Sequence, residues 1–363
     1  MDRLEIVRQG NRLTATAIEL FAGAGGSALG LRYSGFQVKV AVELDPAKAA
    51  TFSANHPKTE VLGHAGSCGD VRQTKGEKLM KLARLGHRRL DLLVACPPCQ
   101  GFSTIGKRDP QDPRNKLYLE FVRLAREMSP KAVVFENVPG IQRLYRGTFL
   151  DNLTKKLKEL GYKVATWRLL ASDLGVPQHR ERIFVVGLRR RKPGRPPNKR
   201  KKVFPWEALA DVPTSKSGVD NSNPKHRPLK YRRSSLSKYA RQLRGTNTTV
   251  TACRLTRHDP DLVDRFRLLK WGEKDPSTNH RRMHPNSEGP TITAGTRSMT
   301  ACRPVHPYAD RVLTVREAAR LTSFPDWYQF PPEVAEAWSQ IGNSVPPLMA
   351  KAVFQRVRTF LEA

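Results

Sequence analysis

Cys99 ends the run Asp91-Leu92-Leu93-Val94-Ala95-Cys96-Pro97-Pro98-Cys99, where its thiol is suited to act as a nucleophile. The four apolar residues Leu92 to Ala95, behind an acid, read as a buried parallel strand. Pro97 and Pro98 cannot donate to a ladder, so the strand stops there, and each biases the residue before it toward extended backbone. That stiff exit holds Cys99 at the carboxyl end of a strand, where open α/β sheets bind their ligands. Gln100-Gly101 then opens a polar loop, Thr104 to Asn115, that reads as a lid beside a nucleophile. Two plainer readings compete. Cysteine is among the most buried residue types, and Cys96 with Cys99 forms a C-x-x-C pair of the kind that binds zinc or does redox chemistry. A structural zinc needs four ligands, and Cys68, Cys253 and Cys302 supply no second close pair. His280 and His284 are four apart but lack the H-E-x-x-H pattern. No metal is expected.

The remaining chain supplies carboxylates and arginines at matching places. Val38 to Val42 reads as a strand leading into Glu43-Leu44-Asp45-Pro46, and Lys131 to Phe135 as a strand leading into Glu136-Asn137-Val138-Pro139-Gly140. Asp70, after Gly69, adds an acid near the same predicted sheet edge. Thr16 to Gly30 reads as strand, glycine turn and helix start, with Ser27 as the expected helix cap. An acid about twenty residues beyond such a turn has the spacing of a ribose-binding group. Leu117 to Met128 shows helical spacing, and Phe149 to Leu160 reads as an amphipathic helix stopped by Gly161. Tyr162 to Leu170 and Ile183 to Leu188 read as strands flanking Gln178-His179-Arg180-Glu181-Arg182. Strands alternating with helices predict an α/β fold with a mostly parallel, doubly wound sheet.

The formal charge of +31 over 363 residues favours polyanionic partners. It is concentrated between Leu188 and Arg303, which hold 28 Lys and Arg against nine Asp and Glu, a net of +19. Arg189 to Lys202 has no apolar periodicity and reads as a solvated basic linker, with phosphate contacts expected of Arg189-Arg190-Arg191-Lys192. Its Gly194-Arg195-Pro196 core resembles an AT-hook, but a plain charged hinge is the favoured reading. Val203 to Arg303 is rich in Thr, Ser, Asn, Pro and Arg. Order returns at Leu313 to Leu321, where Thr314 and Glu317 form a capping box, and Gln340 to Pro347 leads into a closing helix. Five thinly spread cysteines point to a reducing compartment. No stretch approaches the roughly 20 apolar residues of a membrane span. The domains expected are 14–188 for catalysis and cofactor, 189–303 for linker and target recognition, and 304–363 returning to the catalytic domain.

With FAGAGG (21–26), VELD (42–45), PPCQGFS (97–103), ENVPG (136–140), QHRER (178–182) and GNSVPP (342–347) in this order, the chain resembles the bacterial DNA (cytosine-5)-methyltransferases of restriction–modification systems. The resemblance covers about Thr16 to Leu188 and Arg311 to Val353. It implies a Rossmann-like S-adenosylmethionine domain with a smaller inserted target-recognition domain, acting on a flipped-out cytosine in duplex DNA and leaving S-adenosylhomocysteine. Cys99 matches the nucleophile that adds to carbon 6, and neighbouring positive charge is expected to lower its pKa. Glu136 matches the acid that holds ring nitrogen 3; donation there needs a proton, so burial is expected to raise its pKa. Arg182 matches the arginine on the base oxygen, with Arg180 in support. On the cofactor side Phe21 is expected on the adenine, Glu43 on the ribose and Asp70 on the adenine amine, with Ala22, Gly23, Gly25, Gly26, Leu44, Pro98, Asn343 and Val345 lining the cleft. DNA contacts are expected from Gln100, Ser103, Lys107, Arg254, Arg257, Arg281, Arg282 and Arg297. One departure stands out: the family usually has two small residues before Pro-Pro, and here they are Ala95 and Cys96. A cognate restriction endonuclease, a bacterial cytoplasmic, nucleoid-associated location, a monomer on DNA and no membrane complete the expectation. The alternatives are an RNA cytosine methyltransferase and a catalytically silent DNA-binding homologue.

Overall fold

The computed structural model describes residues 15–98, 113–142, 148–197, 200–213, 228–232, 236–294 and 303–363 of the chain. These fall into two compact units, one of the described residues within 15–170, 181–197 and 349–363, the other of those within 171–180 and 200–348. The sheet unit carries, in order, β1 (Ala15–Leu20), α1 (Gly26–Tyr33), β2 (Phe36–Val42), α2 (Pro46–Asn55), β3 (Glu60–Leu62), α3 (Gly76–Ala83), β4 (Leu92–Ala95), α4 (Leu117–Met128), β5 (Ala132–Asn137), α5 (Thr148–Glu159), β6 (Lys163–Leu170) and β7 (Glu181–Leu188). The second unit carries α6 (Pro205–Leu209), β8 (Leu229–Lys230), α7 (Lys238–Arg244), β9 (Thr249–Val250), α8 (Pro260–Leu268), α9 (Val315–Leu321) and α10 (Val334–Asn343); α11 (Pro347–Glu362) then returns to the sheet unit.

The sheet has the order β3-β2-β1-β4-β5-β7-β6. The chain runs outward from β1 to β3 and then crosses back to β4, so the strand order reverses between β1 and β4. That reversal opens a crevice at the carboxyl ends of the strands. Both faces of the central strands are covered, which is why β4 is apolar and buried at all four residues. Pairings among β1 to β5 are parallel, whereas β7 lies antiparallel to both β5 and β6. The antiparallel course has a consequence: the first residues of β7 reach the same sheet end as the last residues of β5. Glu136 pairs with Phe184 and Asn137 with Ile183. Glu136 lies inside β5 rather than after it, since pairing with β7 carries the strand two residues beyond its apolar run.

Helix α1 packs closely on α11. A Cβ on Gly30 would lie 2.3 Å from the Cβ of Ala350, so glycine there is a requirement of packing. The N-cap of α1 is Gly25 in a left-handed conformation with no side-chain cap. This corrects the role expected of Ser27, which lies one residue inside the helix, past the position from which a side chain caps.

The basic run after β7 is not a solvated linker. Arg189 donates to the carbonyls of Pro130 and Leu160 and lies over the Tyr162 ring. Arg195 reaches the carbonyl of Arg168, Arg356 the carbonyl of Gly194, and Pro193 and Pro196 are buried. From the foot of β7 this strap runs back along the outer strand β6, from Lys163 (whose Nζ holds the Arg190 carbonyl) to Arg168. Prolines make no ladder bonds, so the strap covers a sheet edge without extending it.

In the second unit the helices are short and the core is partly ionic. Arg320 is fully buried between Asp211 and Asp326, and Tyr231 donates to the same Asp326. The Thr314–Glu317 capping box opens α9 as expected, and Arg311 takes both oxygens of Glu317 at 2.9 and 2.8 Å. Arg311 and His306 beside it hold the Glu317 carboxyl down to about 2 against the opposing effect of burial.

Candidate active site

The glycine turn lies at the crevice. Phe21, Gly23 and Gly25 all have left-handed backbone, with φ of 55°, 57° and 90°. For a phenylalanine this is a strained conformation that surroundings must impose; the Ala22 amide held by the Val42 carbonyl contributes. Glu43 ties the turn to the end of β2, its Oε2 accepting from the Gly23 amide at 2.7 Å and its Oε1 from the Asp45 amide at 2.9 Å. Behind it, a Cβ on Gly63 or Gly69 would fall 1.7 or 1.9 Å from the Glu43 carbonyl oxygen, so two glycines seat this residue against the loop that carries Asp70. Asp70 is buried, and the Arg72 guanidinium on its carboxylate holds its pKa below the ordinary value. Arg72 itself is 60% exposed, so the Asp70 carboxylate is paired with a side chain that lies largely in solvent. Leu44 is 63% exposed.

Glu19 is the residue that sequence reasoning missed. It is completely buried in β1, and among the described residues neither carboxylate oxygen has a hydrogen-bond partner. Burial pushes its pKa up to about 8, the nearby Ser27 hydroxyl opposes the rise, and the Glu43 charge adds to it. An acid between Ile18 and Leu20 inside a buried strand is costly unless it has work to do. That placement was the available signal.

Across the crevice, the Arg182 Nε lies 2.9 Å from Glu136 Oε1, and both side chains are nearly buried. The antiparallel β7 makes this pair, since Arg182 lies two residues before Phe184, the partner of Glu136, and so shares its face of the sheet. Asn137 Nδ2 holds the Pro97 carbonyl at 3.3 Å, fixing the exit from β4, and Pro98 is exposed there. Cys99, Gln100, Ser103, Lys107 and Arg297 lie outside the described residues.

Arg180 is the residue that the resemblance implies supports Arg182. It is buried in the second unit, where it donates to the carbonyls of Ile292, Gly342 and Ser344 at 2.7, 2.6 and 2.9 Å. Asn343 and Val345 are thus held by a guanidinium threaded through their own loop; Asn343 is exposed and Val345 buried. Gln178 joins the same cluster, donating to the Leu321 carbonyl. Among the expected DNA contacts, Arg254, Arg257 and Arg281 are exposed. Arg282 corrects the expectation: it is buried on the carbonyls of His306 and Phe266 and on Asp310, and has no face left for a base.

The chain matches the C-5 cytosine-specific DNA methylases over residues 15–359. It belongs to that family. Among its relatives, the Type II methyltransferase M.XorII of Xanthomonas oryzae pv. oryzae is 36% identical, over 93% of this chain and 82% of its own length. M.DdeI of Desulfomicrobium norvegicum is 33% identical, over 95% and 89%. In three dimensions the chain is similar to a DNA modification methyltransferase encoded within an E. coli prophage, with a TM-score of 0.82 at 28% identity, over 96% of this chain and 100% of that one. This cytosine methyltransferase therefore has the mostly parallel α/β sheet of its family. Among the described residues, no helix is long and apolar enough to cross a membrane.

Proposed function

We propose that this methyltransferase modifies carbon 5 of a cytosine flipped out of a specific duplex DNA sequence, with S-adenosylmethionine as donor and Cys99 as nucleophile. The observation that carries the reading is the buried Glu136–Arg182 pair on β5 and β7, next to the exit of β4 that leads to Cys99. The residues present fit the donor. Its ammonium and sulfonium are cationic, and Glu19 is a buried carboxylate with no hydrogen-bond partner under the turn. A Cβ on Gly23 would meet no protein atom within 4 Å, so the backbone there opens onto free space. When bound, the donor supplies a methyl group on a positively charged sulfur. Phe21 and Leu44 cover the adenine, Glu43 takes ribose hydroxyls with lone pairs left over from its two backbone bonds, and Ala22, Gly25, Gly26, Pro98, Asn343 and Val345 complete the set.

The chemistry on the base then follows from the protein's own groups. The Cys99 thiolate adds to carbon 6, which makes carbon 5 nucleophilic. Glu136 holds a proton at ring nitrogen 3 while the ring carries the added electron density, and Arg182 fixes the plane of that carboxyl group and reaches the base oxygen. Loss of the carbon 5 proton expels Cys99. Taking the base from the stack costs a few kcal/mol, which contacts from the second unit offset at the right sequence. Relatives at 33–36% identity are named as Type II methyltransferases, which supports protection against a cognate endonuclease as the biological setting.

Bisulfite sequencing of DNA from cells expressing the chain tests the reading and reports the target. Duplexes carrying 5-fluorocytosine at that target should trap wild type and Cys96→Ser covalently but not Cys99→Ser, because release needs loss of a carbon 5 proton. Trapping that is lost in Cys96→Ser and kept in Cys99→Ser would assign the nucleophile to the other cysteine.

A further inference from the structure

We propose that Cys96 sets the size of the group this enzyme can transfer, its side chain forming the floor between donor and base; the inference rests on the function proposed above. The strand register places it there. Leu20, Ala95 and Phe135 lie side by side on β1, β4 and β5, so the next residue along each strand gives the row Phe21, Cys96, Glu136. The Cys96 amide donates to the Leu20 carbonyl at 3.2 Å, which continues the alignment with β1 by one residue. One neighbour in the row belongs to the cofactor half of the site and the other to the base half.

The surroundings of the thiol agree. Burial raises its pKa well above the ordinary value, the Glu136 and Glu19 carboxylates raise it further, and the Ser27 hydroxyl and Arg182 oppose them. Groups from both halves therefore surround one sulfur atom. The residue nonetheless keeps some exposed surface, as the floor of an open cleft does. Its backbone cannot retreat, since Pro97 is buried and its carbonyl is held by Asn137. Beneath it, among the described residues, the two Glu19 carboxylate oxygens are buried without a geometric hydrogen bond, so what lies next to Cys96 is a place shaped for a ligand rather than a filled core.

Replacing Cys96 by glycine removes two heavy atoms, Cβ and Sγ. An allyl group exceeds a methyl group by two carbons. In either transfer the carbon–sulfur bond of the donor breaks with its electron pair left on sulfur, a bond to carbon 5 forms, and the carbon 5 proton goes to solvent. The test compares S-adenosylmethionine with its S-allyl analogue, reading the affinity of the DNA-free enzyme for each by titration calorimetry and kcat/KM for each on one duplex from the mass of the product nucleoside. The allyl-to-methyl ratio should rise at least tenfold in Cys96→Gly and stay within twofold of wild type in Cys96→Ser, which keeps the atom count. Cys96→Ala should fall between, and it carries the test where the glycine variant does not fold. A ratio unchanged in both Cys96→Gly and Cys96→Ala overturns the proposal, and so does a rise in Cys96→Ser equal to that in glycine. Failure of the wild type to methylate DNA overturns the underlying function, and this proposal with it; an unchanged ratio with intact methylation overturns this proposal alone.

Discussion

A buried carboxylate without a hydrogen-bond partner keeps its proton until something positive arrives. Glu19 is in that condition, with Ser27, Glu43 and the Cys96 thiol as the titratable or polar groups around it, and its pKa stands at about 8. A cationic ligand selects the ionised form, so binding below about 8 must release the proton. Affinity for S-adenosylmethionine should therefore rise with pH, by up to about tenfold per unit between pH 6 and 7.5, where the ligand's own amine stays charged. Titration calorimetry should show that slope in wild type and its loss in Glu19→Gln; equal slopes in both would place the titrating group elsewhere. Glu136 has a separate job. Glu136→Gln should slow turnover by roughly 100-fold or more, the usual scale for losing a positioned acid, while cofactor affinity changes little. Affinity falling in step with rate would make Glu136 a cofactor ligand. Both acids stand on strands, yet only Glu136 was legible beforehand, because it follows an apolar run whereas Glu19 interrupts one.

At the scale of elements, the direction of β7 decides two things. It brings Arg182 to Glu136, and it carries Leu188 to the opposite end of the sheet, where Ala132 begins β5. The Arg189–Lys192 run therefore starts one eight-residue strand away from the site, roughly 25 Å at 3.3 Å per residue. Arg189 is occupied by two carbonyls and an aromatic ring, whereas Arg190, Arg191 and Lys192 are exposed. Arg189→Ala should lower stability by about 1–3 kcal/mol through the carbonyls it leaves without donors, read as a shift in the denaturant midpoint. Replacing Arg190, Arg191 and Lys192 together should leave the fold intact and change the salt slope of duplex binding by less than the ~0.9 expected of one phosphate contact. A slope reduced by two or three contacts would show that the strap touches DNA after all.

On the scale of the whole molecule, target choice belongs to groups beyond the pocket, since the pocket sees a single cytosine. The insert from Val203 to Arg303 is the segment proposed to read it, with Arg254, Arg257 and Arg281 exposed for the purpose. The insert is not self-contained. Asp211 lies inside it, while Arg320, fully buried against Asp211, lies outside, and Arg316 outside it binds the Thr251 carbonyl within. A chimaera that exchanges 203–303 alone strands such pairs, and an uncompensated buried charge costs about 3–5 kcal/mol. Grafting 199–348 onto a relative's catalytic core should give a protein that melts higher than the 203–303 graft and methylates this protein's sequence. An active 199–348 chimaera that kept the core donor's site would put recognition in the sheet unit.

The sequence by itself determined the sheet-and-helix order, the apolar strands β4 and β5, helix α4 to the residue, the Thr314–Glu317 cap and the family, because each is written in local periodicity or in short ordered motifs. Only the tertiary structure decided which charged residues are exposed and which are spent. Arg180, Arg189, Arg282 and Arg320 look alike in the chain, and all four are taken up by carbonyls or acids from distant segments. Those partners lie tens to more than a hundred residues away, so no local pattern could name them. For the same reason Glu19, Cys96 and Glu136 became neighbours only when β1, β4 and β5 were laid side by side, where register brings together what the chain holds far apart.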